Sequence, residues 1–262
     1  MIQFITSVRN YIHTRQRWLC PLAILFIAMI ANGVAMCFED GISNDAVKYR
    51  KMIANWITHQ DIFLSSENVR TATTISPFFL WTVKCITELF NVEIFTAARS
   101  VNFVCGILSP LLFFYLINCF TTKRNFSFFC AIVLACHPSA VYISTILTRD
   151  CLYFFLAILT LLCAASGILN KKWWSCAIAG FSFTAAVFTR YEALELFPLF
   201  VIFLIFCVCG KKVSWQRGLS SLAIFIAFIL IAALVLGWCM GFHADYIEQV
   251  LLRYEERFRG FM

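Results

Sequence analysis

Seven stretches of this chain stay apolar for long enough to cross a bilayer, at roughly 18–38, 100–120, 126–148, 151–170, 173–189, 194–210 and 219–242. The polar segments between them are short, with one exception at 39–99. That loop carries two helical patterns of its own. "SNDAVKYRKMIANWI" (43–57) opens on three residues suited to an N-cap, Ser43, Asn44 and Asp45, and predicts a helix over 45–58 with Asp45 and Tyr49 one turn apart. "SPFFLWTVKCITELFN" (76–91) puts Lys84, Thr87, Glu88 and Asn91 on one stripe and Phe79, Val83, Ile86 and Phe90 on the opposite one, the pattern of a helix lying in the membrane interface. The first run is 21 residues long, more than a signal-peptide core, and reads as a retained anchor. No repeat, linker or low-complexity segment interrupts the series.

Whether 76–91 also spans decides the topology of everything after it, and the charges discriminate. If it does not span, the N-terminus and the loops at 121–125, 171–172 and 211–218 share one side. That side then holds 10 of the 21 basic residues and none of the 14 acids. The opposite side carries the other 11 bases with all 14 acids, a net of −3, as the positive-inside rule requires. A spanning 76–91 would turn the basic pairs outward and leave Arg149 and Arg190 in the cytoplasm. The expected arrangement is therefore a cytoplasmic N-terminus (1–17), seven spans within 18–242, one long outer loop (39–99) with two interfacial helices, and an outer amphipathic tail (243–262).

Composition fits an all-α polytopic membrane protein: 61% of residues are hydrophobic, 29 of 262 are Phe and 13% are charged. The 13 cysteines lie mostly inside apolar runs and read as small apolar fillers, with no disulfide framework or zinc spacing. The net charge of +7 is accounted for by membrane orientation, so no nucleic-acid partner is implied.

With that topology the unusual polar residues gather at one face. They are Asp45 and Tyr49, Arg99 at the mouth of the second span, "TRD" (148–150) and "TRYEALE" (189–195). Charges at span ends are costly in hydrocarbon unless paired or wetted, so a cluster of them is a site hypothesis. Each also has a plainer role. Asp45 suits a helix cap, Arg99 suits an interfacial anchor, and Asp150 and Glu192 each have an arginine beside them or two residues away for local pairing. His59 and His137 are given no role.

The ordered set "ND-x3-Y", "SPFFLWTVKCITELFNVEIFTAARSVNFVCGILSPLLFFYL", "HPSAVYISTILTRDCLYFFLAIL" and "FTRYEALELFPL" resembles the GT-C class of membrane glycosyltransferases over residues 40–200. The branch it is most similar to is glycosyltransferase family 39, the protein mannosyltransferase and aminoarabinose transferase group. The match has departures. The family's acidic Asp-Glu pair is Asp45-Ala46 here, its proline pair is reduced to Ser76-Pro77, and Lys84 sits further from the proline than in some relatives. Family members usually continue beyond the seventh span, so a truncated or minimal module is expected.

The resemblance implies a GT-C-like module that moves a sugar from a polyprenyl-phosphate donor to a lipid, glycan or protein acceptor on the extracytoplasmic face. It implies Asp45 as catalytic base and Arg99 as phosphate ligand, with Tyr49, Arg149, Asp150, Arg190 and Glu192 lining the substrate. Inversion at the anomeric carbon follows from a single attacking hydroxyl. No cofactor is required, although Asp150 is a candidate ligand for a divalent metal. The protein is expected in the bacterial inner membrane with its C-terminus outside. A transporter or lipid flippase is the alternative reading, and an inactive assembly subunit is a further one.

Overall fold

The computed structural model describes residues 2–38, 44–59 and 76–241, with side chains from 18–38, 46–58 and 76–241. Among these residues every regular element is helical. The helices are α1 (Ile2–Phe38), α2 (Asn44–His59), α3 (Pro77–Phe90), α4 (Ile94–Phe120), α5 (Arg124–Ala135), α6 (Pro138–Thr145), α7 (Asp150–Leu169), α8 (Trp173–Thr189), α9 (Leu196–Cys209) and α10 (Trp215–Cys239), with a 3-10 turn at Tyr191–Glu195 ahead of α9. This is an all-α polytopic membrane protein. Five of its segments are long and apolar enough to cross a bilayer, and a bent pair makes a sixth. The seventh expected span, α8, has 17 residues, or about 25 Å at 1.5 Å per residue.

Residues 126–148, expected as one span, form that bent pair. α5 and α6 meet at 51°. Pro138 lacks the N–H that would continue the ladder and pushes His137 into an extended conformation (φ −67°, ψ 122°), so α5 stops at Ala135 and a new helix starts at the proline. α4 begins at Ile94 rather than 100. Asn91 closes α3 in the left-handed region (φ 50°), and no breaker separates Ile94 from the apolar run, so Arg99 lies within the helix instead of leading it.

α2 and α3 match the expected bounds within a residue. Phe79 and Val83 of α3 are buried as the stripe predicts, and Leu80 beside them is buried too. The stripe is imperfect at both edges, since Phe90 is exposed and the Thr87 hydroxyl is buried. Lys84 donates to Glu88 at 3.0 Å and sits 5.8 Å from the Trp56 ring, which ties α3 to α2.

α4, α7, α8 and α10 pack side by side, and small residues set their spacing. α8 buries Ser175, Cys176, Ala177, Ala179, Gly180, Ser182, Ala185 and Ala186, so its neighbours approach its backbone closely. A Cβ at Gly180 would lie 2.6 Å from the Phe225 carbonyl oxygen and 2.9 Å from Phe228 Cβ. Across the α8–α10 seam Phe183 meets Phe225 with ring centroids 5.6 Å apart, and Phe200 of α9 stacks on the same Phe225 at 4.1 Å. On the other flank Asn32 of α1 accepts a hydrogen bond from Ser144 of α6, and the Asn32 amide donates to Ala28 O at 2.7 Å, so this buried polar group in the first span is satisfied within protein.

Substituting Gly180 by Val is expected to lower stability by about 1–3 kcal/mol, because backbone oxygen cannot yield as a side chain does. Gly237→Ala meets nothing within 4 Å and serves as the control. Thermal unfolding of the two variants in the same bilayer mimetic checks this, with Gly237→Ala matching wild type.

Candidate active site

Consecutive spans run in opposite directions, so the end of α1, the start of α4, the α6–α7 connection, the α8–α9 connection and the end of α10 meet at one end of the bundle. Cross-contacts join them. Arg149 donates to Ser76 Oγ at 2.8 Å, Arg190 meets Asp150 at 2.5 Å, and Arg50 of α2 lies 3.9 Å from Glu93 and over the Phe95 ring. Among the described residues every acidic side chain lies at this end: Glu88, Glu93, Asp150, Glu192 and Glu195.

The organising side chain is one that sequence reasoning passed over. Asn102 of α4 is 1% exposed, and its amide nitrogen donates to Ile146 O at 2.8 Å and Thr148 O at 3.0 Å. The Cys151 thiol completes the junction on the Asn102 carbonyl at 3.1 Å. The chain leaves the helical ladder after Thr145, and Asn102 donates to the carbonyls of Ile146, which also accepts from Thr148 N, and Thr148, while Arg149 O already enters the α7 ladder. The signal was available, as an amide three residues after Arg99 inside an apolar run is unusual enough to mark. Asn102 Oδ1 and Thr148 Oγ1 are themselves buried without a protein partner.

Arg190 is the hub of the charged cluster. Its guanidinium contacts Asp150 Oδ1 at 2.5 Å and both Glu192 oxygens at 3.4 Å, and lies 5.6 Å from the Tyr153 ring centroid. Burial alone would pull its pKa down, but the hydrogen bonds and charges of Glu192 and Asp150 outweigh it and hold the group above the ordinary arginine range. The Asp150–Arg149 pairing considered from sequence does not form. Arg149 is the residue before α7 and turns toward the start of α3, leaving Asp150 to Arg190, forty residues on. Glu192 does pair locally, two residues from its arginine.

The remaining expected residues are distributed as follows. Arg99 is half-buried one turn before Asn102 on α4. Tyr49 is 8% exposed with its ring edge-on to Phe79 at 5.6 Å, so its body is part of the α2–α3 core. Asp45 is the second residue of α2, and its side chain lies outside the described residues. No three His, Cys, Asp or Glu side chains come together as a metal site among the described residues. Below the cluster, under the α5–α6 break, a cavity of about 210 Å³ is bounded by Asn32, Gly106, Ser109, His137, Cys151 and Phe154.

Residues 74–238 match the dolichyl-phosphate-mannose-protein mannosyltransferase family. The chain belongs to that family. The match takes in α3 to α10 almost entirely, and with them Arg99, Asn102, Arg149, Asp150, Arg190 and Glu192, while Asp45 and Tyr49 of α2 precede it. No curated protein matches the chain. Membership makes this a membrane glycosyltransferase of the GT-C type, a class that works with a lipid-linked sugar donor and an acceptor.

Two outcomes are expected from the geometry. Replacing Asn102 by Leu takes the amide from Thr148 O and leaves Ile146 O with the Thr148 N–H alone, which should cost about 1–3 kcal/mol, while Asn102→Gln reduces the loss only if its longer amide still reaches both, as thermal unfolding will register. A double-mutant cycle of Asp150→Asn and Arg190→Gln should return a coupling of about 1 kcal/mol, because both groups are a third exposed and solvent screens them.

Proposed function

We propose that this protein transfers a sugar from a polyprenyl-phosphate carrier to a hydroxyl acceptor on the extracytoplasmic face, with inversion at the anomeric carbon. The observation that carries this reading is the gathering of Arg99, Arg149 and the Arg190–Asp150–Glu192 cluster at one end of an apolar bundle in a chain of this family.

A lipid-borne donor keeps its tail in hydrocarbon and its phosphate at the interface, so it can be met only at a span end. Arg99 sits at that depth. Its guanidinium fork matches two phosphate oxygens and offsets the charge that grows on the leaving group as the bond from C1 to the phosphate oxygen breaks. The acceptor hydroxyl needs a base as its oxygen bonds to C1, and Asp45 takes that proton. One displacement by the acceptor, with no protein nucleophile, inverts the configuration.

The other residues divide by how their charges are used. Arg190 is committed to two carboxylates and serves as a strut between the 148–150 and 190–195 connections. Its partners Asp150 and Glu192 face the acceptor side. Arg149, reaching to Ser76, links the start of α3 to the same end. Tyr49 borders the channel from the α2–α3 core. The transfer as written uses no cofactor, and Asp150 is the candidate ligand should a divalent cation take part. The fitting location is a bacterial inner membrane with the N-terminus in the cytoplasm.

A labelled polyprenyl-phosphate hexose offered to the protein in nanodiscs tests the assignment. Wild type is expected to bind it and to transfer or hydrolyse the sugar. Arg99→Ala should lose binding, and Asp45→Asn should bind normally with turnover lower by about a hundredfold or more. Absence of binding and turnover across a panel of such donors would sink the proposal and leave the transporter or inactive-subunit reading in its place. Retained anomeric configuration in the product would remove the inversion step alone.

A further inference from the structure

The end of the bundle opposite the candidate site carries a second organised surface. The α4–α5, α7–α8 and α9–α10 connections bring Lys123 and Arg124, Lys171 and Lys172, and Lys211 and Lys212 with Arg217 to this end. The connections are neighbours. Phe120 at the end of α4 meets Phe203 of α9 at 5.7 Å, and α8 packs along α10. The sequence has no acidic residue in any of these connections or in the first turn of α5, α8 or α10.

Among the described residues no carboxylate lies at this end. Lys123 and Lys172 directly precede α5 and α8, next to the positive ends of the helix dipoles, where an acid would be the favourable choice. Lys171 and Lys211 both hold a left-handed backbone (φ 62° and 56°), a conformation usually left to Gly or Asn, so two separate turns accept the same local strain and retain a lysine. Each lysine pair is followed by tryptophan that points outward. Trp173 is 65% exposed, Trp174 48% and Trp215 63%, and Lys172 Nζ lies 5.6 Å from the Trp174 ring. Indole rings at this level sit among headgroups and set the depth of the lysines beside them.

We infer that this surface binds the anionic headgroups of one membrane leaflet, the lysine pairs taking lipid phosphates while the tryptophans fix their depth. The partner is recognised by phosphate charge held at a membrane surface. A neutral bilayer supplies the apolar contacts and no net negative charge, and a soluble anion supplies the charge and no place for the indoles. This inference is independent of the sugar-transfer reading, because none of these residues lies at the candidate active site.

Tryptophan fluorescence of the full chain in bilayers containing brominated phosphatidylglycerol or brominated phosphatidylcholine tests it. A Trp238→Phe background removes the exposed indole at the other end of the bundle. The anionic lipid should quench with a preference of about twofold to fivefold, shrinking as ionic strength rises. Replacing Lys171, Lys172, Lys211 and Lys212 together by Gln should abolish the preference, and replacing the same four by Arg should keep it, which separates charge from misfolding. Equal quenching by the two lipids in wild type overturns the inference, as does a preference that survives the Gln variant. If inorganic phosphate erases the preference where chloride of equal ionic strength does not, the surface is a site for a free anion and the headgroup assignment falls.

Discussion

The candidate active site depends on one side-chain amide. Where α6 ends and α7 has not yet begun, the chain has carbonyls to satisfy among apolar helices, and hydrocarbon offers no donor. Asn102 gives its amide hydrogens to two of them, across more than forty residues of sequence. That fixes residues 146–149 against α4, and so fixes Arg149 and Asp150 relative to Arg99 one turn away. The long-range ion pair of Asp150 with Arg190 then fastens the next connection to the same point.

Much of the architecture is legible in the residue pattern because hydrocarbon imposes a coarse rule. A run of apolar residues becomes a helix, and short basic loops stay on one side. α2 and α3 are recoverable from caps and amphipathic stripes, to within a residue. What is lost are details that a span-length window averages away. Pro138 was visible in the sequence, but the run around it is apolar enough to pass as one helix, and the 51° bend is set by backbone geometry. α4 gains six residues at its start because nothing between Ile94 and the apolar run stops a helix.

The site was legible as a set of residues and much less as a set of partners. That Arg99, Arg149, Asp150, Arg190 and Glu192 share one end follows from topology alone. That Asp150 belongs to Arg190 and Arg149 to Ser76 does not, because periodicity within one helix says nothing about which of two adjacent arginines turns toward a neighbouring connection. Asn102 was overlooked for a related reason. An amide carries no charge to count, and its importance lies wholly in the backbone it serves.

α8 has a consequence for how the protein is made. At 17 residues, with Ser, Cys, Gly, Thr and Ala along its buried face, it is poorly suited to partition into lipid by itself. Its length and polarity are tolerated because α7 and α10 cover it, and α10 is synthesised after both. Until then α7, joined to it by the tight Lys171–Lys172 turn, is the cover within reach. Biogenesis is therefore constrained to deliver α7 and α8 to the bilayer as a hairpin, and the bundle closes only when α10 leaves the ribosome.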